Sequence, residues 1–124
     1  MEERVIFTNA PGEEIDSIAG EAGATQIFVI ADTNTEALCL PLLRDQSTAV
    51  ATARVLTVSP GDANKNIDTA TALWRALGNA GATRRSMVVN LGGGMVSDLG
   101  GFVASTFKRG MRYINVPTTL LGAV

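Results

Sequence analysis

A run of glycines, Gly92 to Gly94, stands between a short apolar segment and a stretch with helical periodicity. The apolar segment, residues 87–91, contains adjacent valines and no charge, which is typical of a buried β-strand. After the glycines, apolar side chains recur at helical spacing, which predicts a helix from residue 95 to about 108. A helix entered through glycines leaves N–H groups and its positive dipole end open to a phosphate. Such turns also occur where no ligand binds, so both interpretations stand.

A second set of polar residues follows the strand predicted over residues 26–31. Asp32 and Asn34 stand directly after it, and open α/β sheets bind ligands at the carboxyl ends of their strands. Asp32 or Thr33 is equally suited to cap a helix over residues 35–40. Capping and ligand contact are compatible, so neither excludes the other.

Two threonines, Thr118 and Thr119, follow the strand predicted over residues 113–116. Their hydroxyl groups are short donors placed where a strand ends, which fits a ligand site. The alternative is that they cap a helix beginning near Leu120. Both functions remain open for this pair.

Two charged residues lie near the ends of the helix predicted after the glycines. Asp98 falls in its first turn, where the helix dipole favours a carboxylate. Beside a bound dinucleotide, the same carboxylate can accept a hydrogen bond from a ribose hydroxyl. Arg109 lies at the other end, where a cation compensates the dipole and Gly110 ends the helix.

Residues 92–121 together resemble the signature of the 3-dehydroquinate synthases. The family pattern runs from a glycine triplet through Asp-Leu, Gly-Phe and Arg-Gly to Val-Pro-Thr-Thr-Leu-Leu. The matching residues are Gly92 to Gly94, Met95, Val96, Asp98, Leu99, Gly101, Phe102, Arg109, Gly110 and Val116 to Leu121. Ser97 stands where the family more often has glycine. The resemblance extends over nearly the whole chain but covers only the N-terminal half of the family's enzyme.

The resemblance implies an NAD site built from this chain. The residues that it assigns to the cofactor are Asp32, Asn34, Asp62, Lys65, Gly93, Gly94, Met95, Val96, Asp98, Thr118 and Thr119. At the position of Asp62 the family usually has glutamate, so the carboxylate here is one methylene shorter. Arg109 matches an arginine that reaches the substrate phosphate across a dimer interface in the family.

The resemblance also implies the family's chemistry. Its enzymes convert 3-deoxy-D-arabino-heptulosonate 7-phosphate to 3-dehydroquinate and phosphate in the shikimate pathway, which leads to aromatic amino acids. They use NAD and a divalent metal, zinc or cobalt. In relatives the metal ligands and catalytic lysines lie beyond the Val-Pro-Thr-Thr-Leu-Leu motif, so we expect this chain alone to be inactive. The alternatives are a related sugar-phosphate cyclase and a non-catalytic nucleotide-binding module.

Strand and helix patterns alternate along the chain. This alternation predicts one α/β domain over residues 1–124, a layered Rossmann-like fold with a largely parallel sheet flanked by helices. The predicted strands are 4–8, 26–31, 54–58, 87–91 and 113–116, and the predicted helices are 13–22, 35–40, 67–77 and 95–108. Residues 44–51 are polar or small and are predicted to form a loop or a frayed helix end. The strand over 26–31 is apolar throughout and is therefore predicted to be central.

Composition limits the chemistry that this chain can perform. Of the 124 residues, 46% are hydrophobic but only 5% are aromatic, so the core must be aliphatic. A net charge of −2 argues against a surface for nucleic acid or anionic membranes. Histidine is absent, which excludes imidazole catalysis and removes the commonest zinc ligand. The single cysteine, Cys39, and the lack of a signal-peptide pattern predict a cytoplasmic protein, and the resemblance implies a homodimer.

Overall fold

The computed structural model describes residues 10–61, 66–108 and 110–118. Helices and strands alternate along these ranges, as the sequence predicted. They are α1 (Pro11–Ala22), β1 (Gln26–Asp32), α2 (Thr33–Leu38), α3 (Leu40–Gln46), α4 (Thr48–Ala51), β2 (Arg54–Val58), α5 (Ile67–Asn79), β3 (Ser86–Leu91), α6 (Gly94–Thr106) and β4 (Arg112–Val116). The strand predicted over residues 4–8 lies outside the described residues.

The four described strands form one parallel sheet in the order β2-β1-β3-β4. This confirms the predicted α/β fold and the central position of β1. Every residue of β3 is buried, and four consecutive residues of β1, from Phe28 to Ala31, have no exposed surface. Strands covered on both faces need apolar side chains at successive positions, which explains the continuous apolar runs.

Alternate side chains of the central strands enter two separate cores. Phe28, Ile30 and Val88 pack with buried residues of α5 and α6 on one face of the sheet. Val29 and Val89 pack with buried residues of α1, α3 and α4 on the other. The helices that follow β1 and β3 therefore lie on opposite faces.

The first helix begins at Pro11, before the predicted residue 13. Proline is favoured in the first helical turn because the N–H it lacks has no intrahelical acceptor there. Gly23 ends the helix in the left-handed conformation, with φ 62°, and its N–H donates to the carbonyl of Gly20 at 3.2 Å. Glycine suits this position because it carries no Cβ.

The connection from β1 to β2 is more helical than predicted. One helix was predicted over residues 35–40 and a loop or frayed helix end over 44–51, but three short helices occupy this connection. Pro41 lies in the first turn of α3, where its missing N–H costs no helical hydrogen bond. The predicted helix therefore begins earlier, and a second helix starts around the proline.

The last of these helices, α4, is held by side chains that cap its N-terminus. Ser47 Oγ accepts a hydrogen bond from the N–H of Val50 at 3.0 Å. Asp16 of α1 accepts from Ser47 Oγ at 2.7 Å and from the N–H of Ala49 at 3.0 Å. Because Asp16 is distant in sequence, the local pattern of residues 44–51 did not predict this helix.

The helix after the glycines also ends earlier than predicted. Its last residue is Thr106, and Phe107 caps it with an N–H that donates to the carbonyl of Val103. Lys108 then adopts a positive φ of 50°, and Gly110 follows with φ 95°. The cation Lys108 therefore lies in the turn beyond the helix.

Candidate functional site

The two central strands direct the chain to opposite faces of the sheet. After β1 the chain continues to α3 and α4 on one face, and after β3 it continues to α6 on the other. Because β1 and β3 are neighbours, the two connections diverge and leave a crevice at the carboxyl ends of these strands. Parallel α/β sheets bind their ligands at such a switch point.

The glycine turn forms one wall of this crevice. The N–H of Gly92 donates to the carbonyl of Val116 at 3.2 Å, which fixes the turn to the end of β4. Gly93 is the N-cap of α6 and makes no side-chain cap. The first intrahelical bond runs from the N–H of Ser97 to the carbonyl of Gly93 at 3.0 Å. The N–H groups of the three preceding residues, Gly94 to Val96, therefore have no acceptor within the helix.

The three glycines differ in what the fold requires of them. A Cβ added to Gly92 would lie 3.0 Å from Cβ of Val96, so packing within the chain restricts this position. A Cβ added to Gly93 or Gly94 would have no described atom within 4 Å. Neither residue has a positive φ. The fold alone does not require glycine at these two positions, whereas a ligand that approaches the backbone closely does.

Asp32 stands across the crevice from the glycine turn. Ala31 pairs with Leu91 in the sheet, so the next residues on the two strands are Asp32 and Gly92. Asp32 Oδ1 accepts from the N–H of Thr35 at 2.8 Å, and Thr35 Oγ1 accepts from the N–H of Asp32 at 3.0 Å. This capping box confirms the predicted capping role.

Apart from Asp98, two of the remaining predicted site residues are described by the structure and four are not. Asn34 is exposed in α2, two residues after Asp32. Thr118 is partly buried and lies two residues beyond Val116, at the same edge of the sheet. Of the other predicted positions, Asp62, Lys65, Arg109 and Thr119 lie outside the described residues.

Asp98 is placed differently from the prediction. Because α6 begins at Gly94, Asp98 is its fifth residue and lies in the second turn, not the first. It is exposed and lines a cleft of about 360 Å³ with Asn66, Ile67 and Phe102, among other residues, between the start of α5 and the middle of α6. The dipole argument for a first-turn carboxylate therefore does not apply.

The sequence analysis missed one polar residue near the site, Asn90. It is fully buried in β3, two residues before Gly92. Its Nδ2 donates to Oδ1 of Asn115 on β4 at 3.0 Å. The signal was present, because Asn90 interrupts an otherwise apolar strand next to the glycine turn.

The described part of the chain offers no metal site. None of its histidine, cysteine, aspartate and glutamate side chains form a group of three or more, and the sequence contains no histidine at all. The thiol of Cys39 is buried, and desolvation followed by the charge of Asp32 raises its pKa. A catalytic zinc site needs three protein ligands, so the described residues do not fit a metal. Among the described residues, no helix is long and apolar enough to cross a membrane.

Comparison with known proteins identifies the family of this chain. The family model of the 3-dehydroquinate synthase N-terminal domain matches residues 55–124. The 3-dehydroquinate synthase of Parabacteroides distasonis is 42% identical over 123 residues, which are 99% of this chain and 35% of that protein. The 3-dehydroquinate synthase of Thermobifida fusca is 40% identical over 97% of this chain and 32% of its own length. The chain thus spans about a third of the length of these curated relatives.

A solved structure with the same fold belongs to a sugar-phosphate cyclase. The crystal structure of 2-deoxy-scyllo-inosose synthase has a TM-score of 0.74 and 26% identity, and the match covers 85% of this chain and 30% of that one. The same enzyme has been solved with carbaglucose-6-phosphate, NAD⁺ and Co²⁺. Because the family model covers more than half of the residues, this chain belongs to the 3-dehydroquinate synthase family and corresponds to its N-terminal domain.

Proposed function

We propose that this chain is the NAD-binding domain of a 3-dehydroquinate synthase. The observation that carries the proposal is the pair Gly93 and Gly94, glycines that the fold does not require at the open N-terminus of α6. The pyrophosphate of a dinucleotide is an anion that must approach backbone N–H groups closely, which accounts for both features. Because the chain belongs to this family, we propose that the dinucleotide is NAD.

The described residues fit this cofactor. Backbone N–H groups from Gly93 to Val96 would hold the pyrophosphate, with Asp32 and Asn34 on the opposite side of the crevice. Asp98, in the second turn of α6, and Thr118, two residues beyond the end of β4, are proposed as further polar contacts. Asp62 with Lys65, and Thr118 with Thr119, are proposed to complete the site. When bound, NAD supplies reversible hydride transfer with a substrate hydroxyl.

The reaction proposed for the whole protein follows from its relatives. The substrate is 3-deoxy-D-arabino-heptulosonate 7-phosphate, and the products are 3-dehydroquinate and phosphate, within the shikimate pathway of the cytoplasm. Arg109 is proposed to contact the substrate phosphate across a homodimer interface. A zinc or cobalt ion would be bound by residues outside this chain, since the described residues do not fit a metal.

A second candidate is a related sugar-phosphate cyclase with a different product. The structural likeness to 2-deoxy-scyllo-inosose synthase favours it, since that enzyme shares the fold of this domain. The relatives named 3-dehydroquinate synthase are more similar in sequence, at 42% and 40% against 26%, which favours the first candidate. A non-catalytic nucleotide-binding module is the third, and only this candidate predicts no turnover by any form of the protein.

Two measurements on the whole protein test these candidates. NAD binding is measured by calorimetry, and phosphate release is measured with 3-deoxy-D-arabino-heptulosonate 7-phosphate. We expect NAD binding and phosphate release together. NAD binding without phosphate release, combined with tight binding of carbaglucose-6-phosphate, would favour the other cyclase. An absence of NAD binding would refute the proposed function.

A further inference from the structure

Asn90 is a polar side chain with no exposed surface, and its amide is only partly satisfied. The nitrogen Nδ2 donates to Asn115 Oδ1, 3.0 Å away on the neighbouring strand. The oxygen Oδ1 has no hydrogen-bond partner in the described part of the chain. A buried oxygen without a donor lowers stability, so an amide at this position needs an explanation other than core packing.

The amide of Asn90 lies directly against α6. A Cβ added to Gly100 would stand 1.8 Å from Asn90 Oδ1 and 2.4 Å from its Cγ. Any side chain at Gly100 would therefore occupy the space of the amide. The pair of Asn90 and Gly100 sets how closely the middle of α6 approaches β3.

Asn90 also links the ends of two strands. It pairs with Asn115 in the sheet, and the next pair, Leu91 with Val116, is the last one in that ladder. One residue further, the N–H of Gly92 donates to the carbonyl of Val116. The side-chain and backbone hydrogen bonds together fix the end of β3 against the end of β4.

We propose that Asn90 is a positioning residue for the dinucleotide site. It sets the height of α6 over the sheet and fixes β3 to β4, so that the N–H groups at the start of α6 and the turn at Thr118 face the same ligand. This inference rests on the proposed function, because the ligand is the dinucleotide proposed there. Asn90 itself touches no ligand.

The test compares Asn90→Ala with the double variant Asn90→Ala/Gly100→Ala in the whole protein. NAD affinity is measured by calorimetry and the melting temperature by circular dichroism. We expect Asn90→Ala to raise the Kd for NAD about tenfold, since small shifts of N–H donors weaken charge-assisted hydrogen bonds. The double variant should recover affinity in part, to a Kd about threefold above that of the unchanged protein, because it still lacks the hydrogen bond to Asn115. In it, the methyl group of the alanine at position 100 fills the space vacated by the amide oxygen.

Leu77→Ala is the matched control. Leu77 is fully buried in α5 on the same face of the sheet, so its truncation should lower the melting temperature without removing a hydrogen bond between β3 and β4. A role limited to stability predicts that Asn90→Ala and Leu77→Ala leave the Kd equally unchanged, and that result would overturn the proposal. Failure of the double variant to recover affinity would overturn it too.

Asn115→Ala tests the same hydrogen bond from the other strand if Asn90→Ala does not fold. Asn115 is exposed, so its truncation removes the link between the strands without opening the core. We expect a rise in Kd of about threefold, and an unchanged Kd would count against the proposal. If the unchanged protein does not bind NAD at all, the proposed function fails as well. If it binds NAD and these variants bind equally well, only the role of Asn90 fails.

Discussion

Replacing Gly94 by alanine should affect protein stability and NAD binding in opposite ways. Gly94 is the first residue of α6, and no described atom lies within 4 Å of the place where its Cβ would stand. Alanine stabilises a helix interior by up to about 1 kcal/mol relative to glycine, and less at the first position. We therefore expect Gly94→Ala to leave the free energy of unfolding unchanged or raise it by about 0.5 kcal/mol.

The same methyl group should weaken NAD binding. It would stand in front of the N–H groups of Gly94 to Val96, where the proposed pyrophosphate approaches. A hydrogen bond to a charged group contributes about 1.5–3 kcal/mol, and each 1.4 kcal/mol corresponds to a tenfold change in Kd. Loss of one such bond therefore predicts a rise in Kd of about tenfold or more. The bulkier Gly94→Val should abolish measurable binding.

Gly78→Ala provides the matched control for this variant. Gly78 lies in α5, is exposed, and likewise has no described atom within 4 Å of an added Cβ. It should gain stability and leave NAD binding unchanged. Calorimetry gives the Kd of each variant, and thermal unfolding gives its stability. Equal Kd values for Gly94→Ala and Gly78→Ala would refute the assignment of the glycine turn to the cofactor.

Three further predictions concern stability and activity. Burial raises the pKa of Asp16, but hydrogen bonds from residues at the start of α4 outweigh that effect and lower the pKa. The ionised carboxylate therefore stabilises the fold. This stabilisation is fully present above the pKa of the unfolded state and is lost as pH falls through the lower pKa of the folded state. Asp16→Asn should therefore cost about 1 kcal/mol at neutral pH and reduce the loss of stability below about pH 4, as urea titrations at both pH values can check; a parallel pH profile would contradict this. Gly12→Ala should destabilise the chain by about 1–3 kcal/mol, because its Cβ would stand 2.2 Å from Cβ of Gln46 and 2.7 Å from its carbonyl carbon; an unchanged urea midpoint would show that α1 docks differently. The 124-residue chain alone should release no phosphate from the substrate and bind no stoichiometric zinc, and phosphate release free of host enzyme would contradict that expectation.

Local patterns sufficed for the elements whose role is set by burial. The apolar runs in β1 and β3 predicted central strands, and the glycine run predicted the turn between β3 and α6. Gly23, with a φ of 62°, ends α1 directly after Ala22, which is where the helix predicted over residues 13–22 ends. In each case the residues that determine the local structure are adjacent in the sequence.

Elements stabilised by distant side chains were not predictable in this way. Residues 44–51 are polar or small and carry no local helix signal; α4 forms there with hydrogen bonds to Asp16 of α1, which is far away in sequence. Asn90 was overlooked for a related reason. Its partners, Asn115 and Gly100, are adjacent only after β3, β4 and α6 have packed together.

The central claim is that the start of α6 holds the pyrophosphate of NAD. It is tested most directly by recording amide nitrogen and proton chemical shifts of the labelled protein during titration with NAD. We predict that the largest shifts occur at Gly93, Gly94, Met95 and Val96, with smaller ones at Asp32 and Asn34 across the crevice. If NAD shifts amide signals at the opposite edge of the sheet and leaves those of these four residues unchanged, the start of α6 does not hold the pyrophosphate.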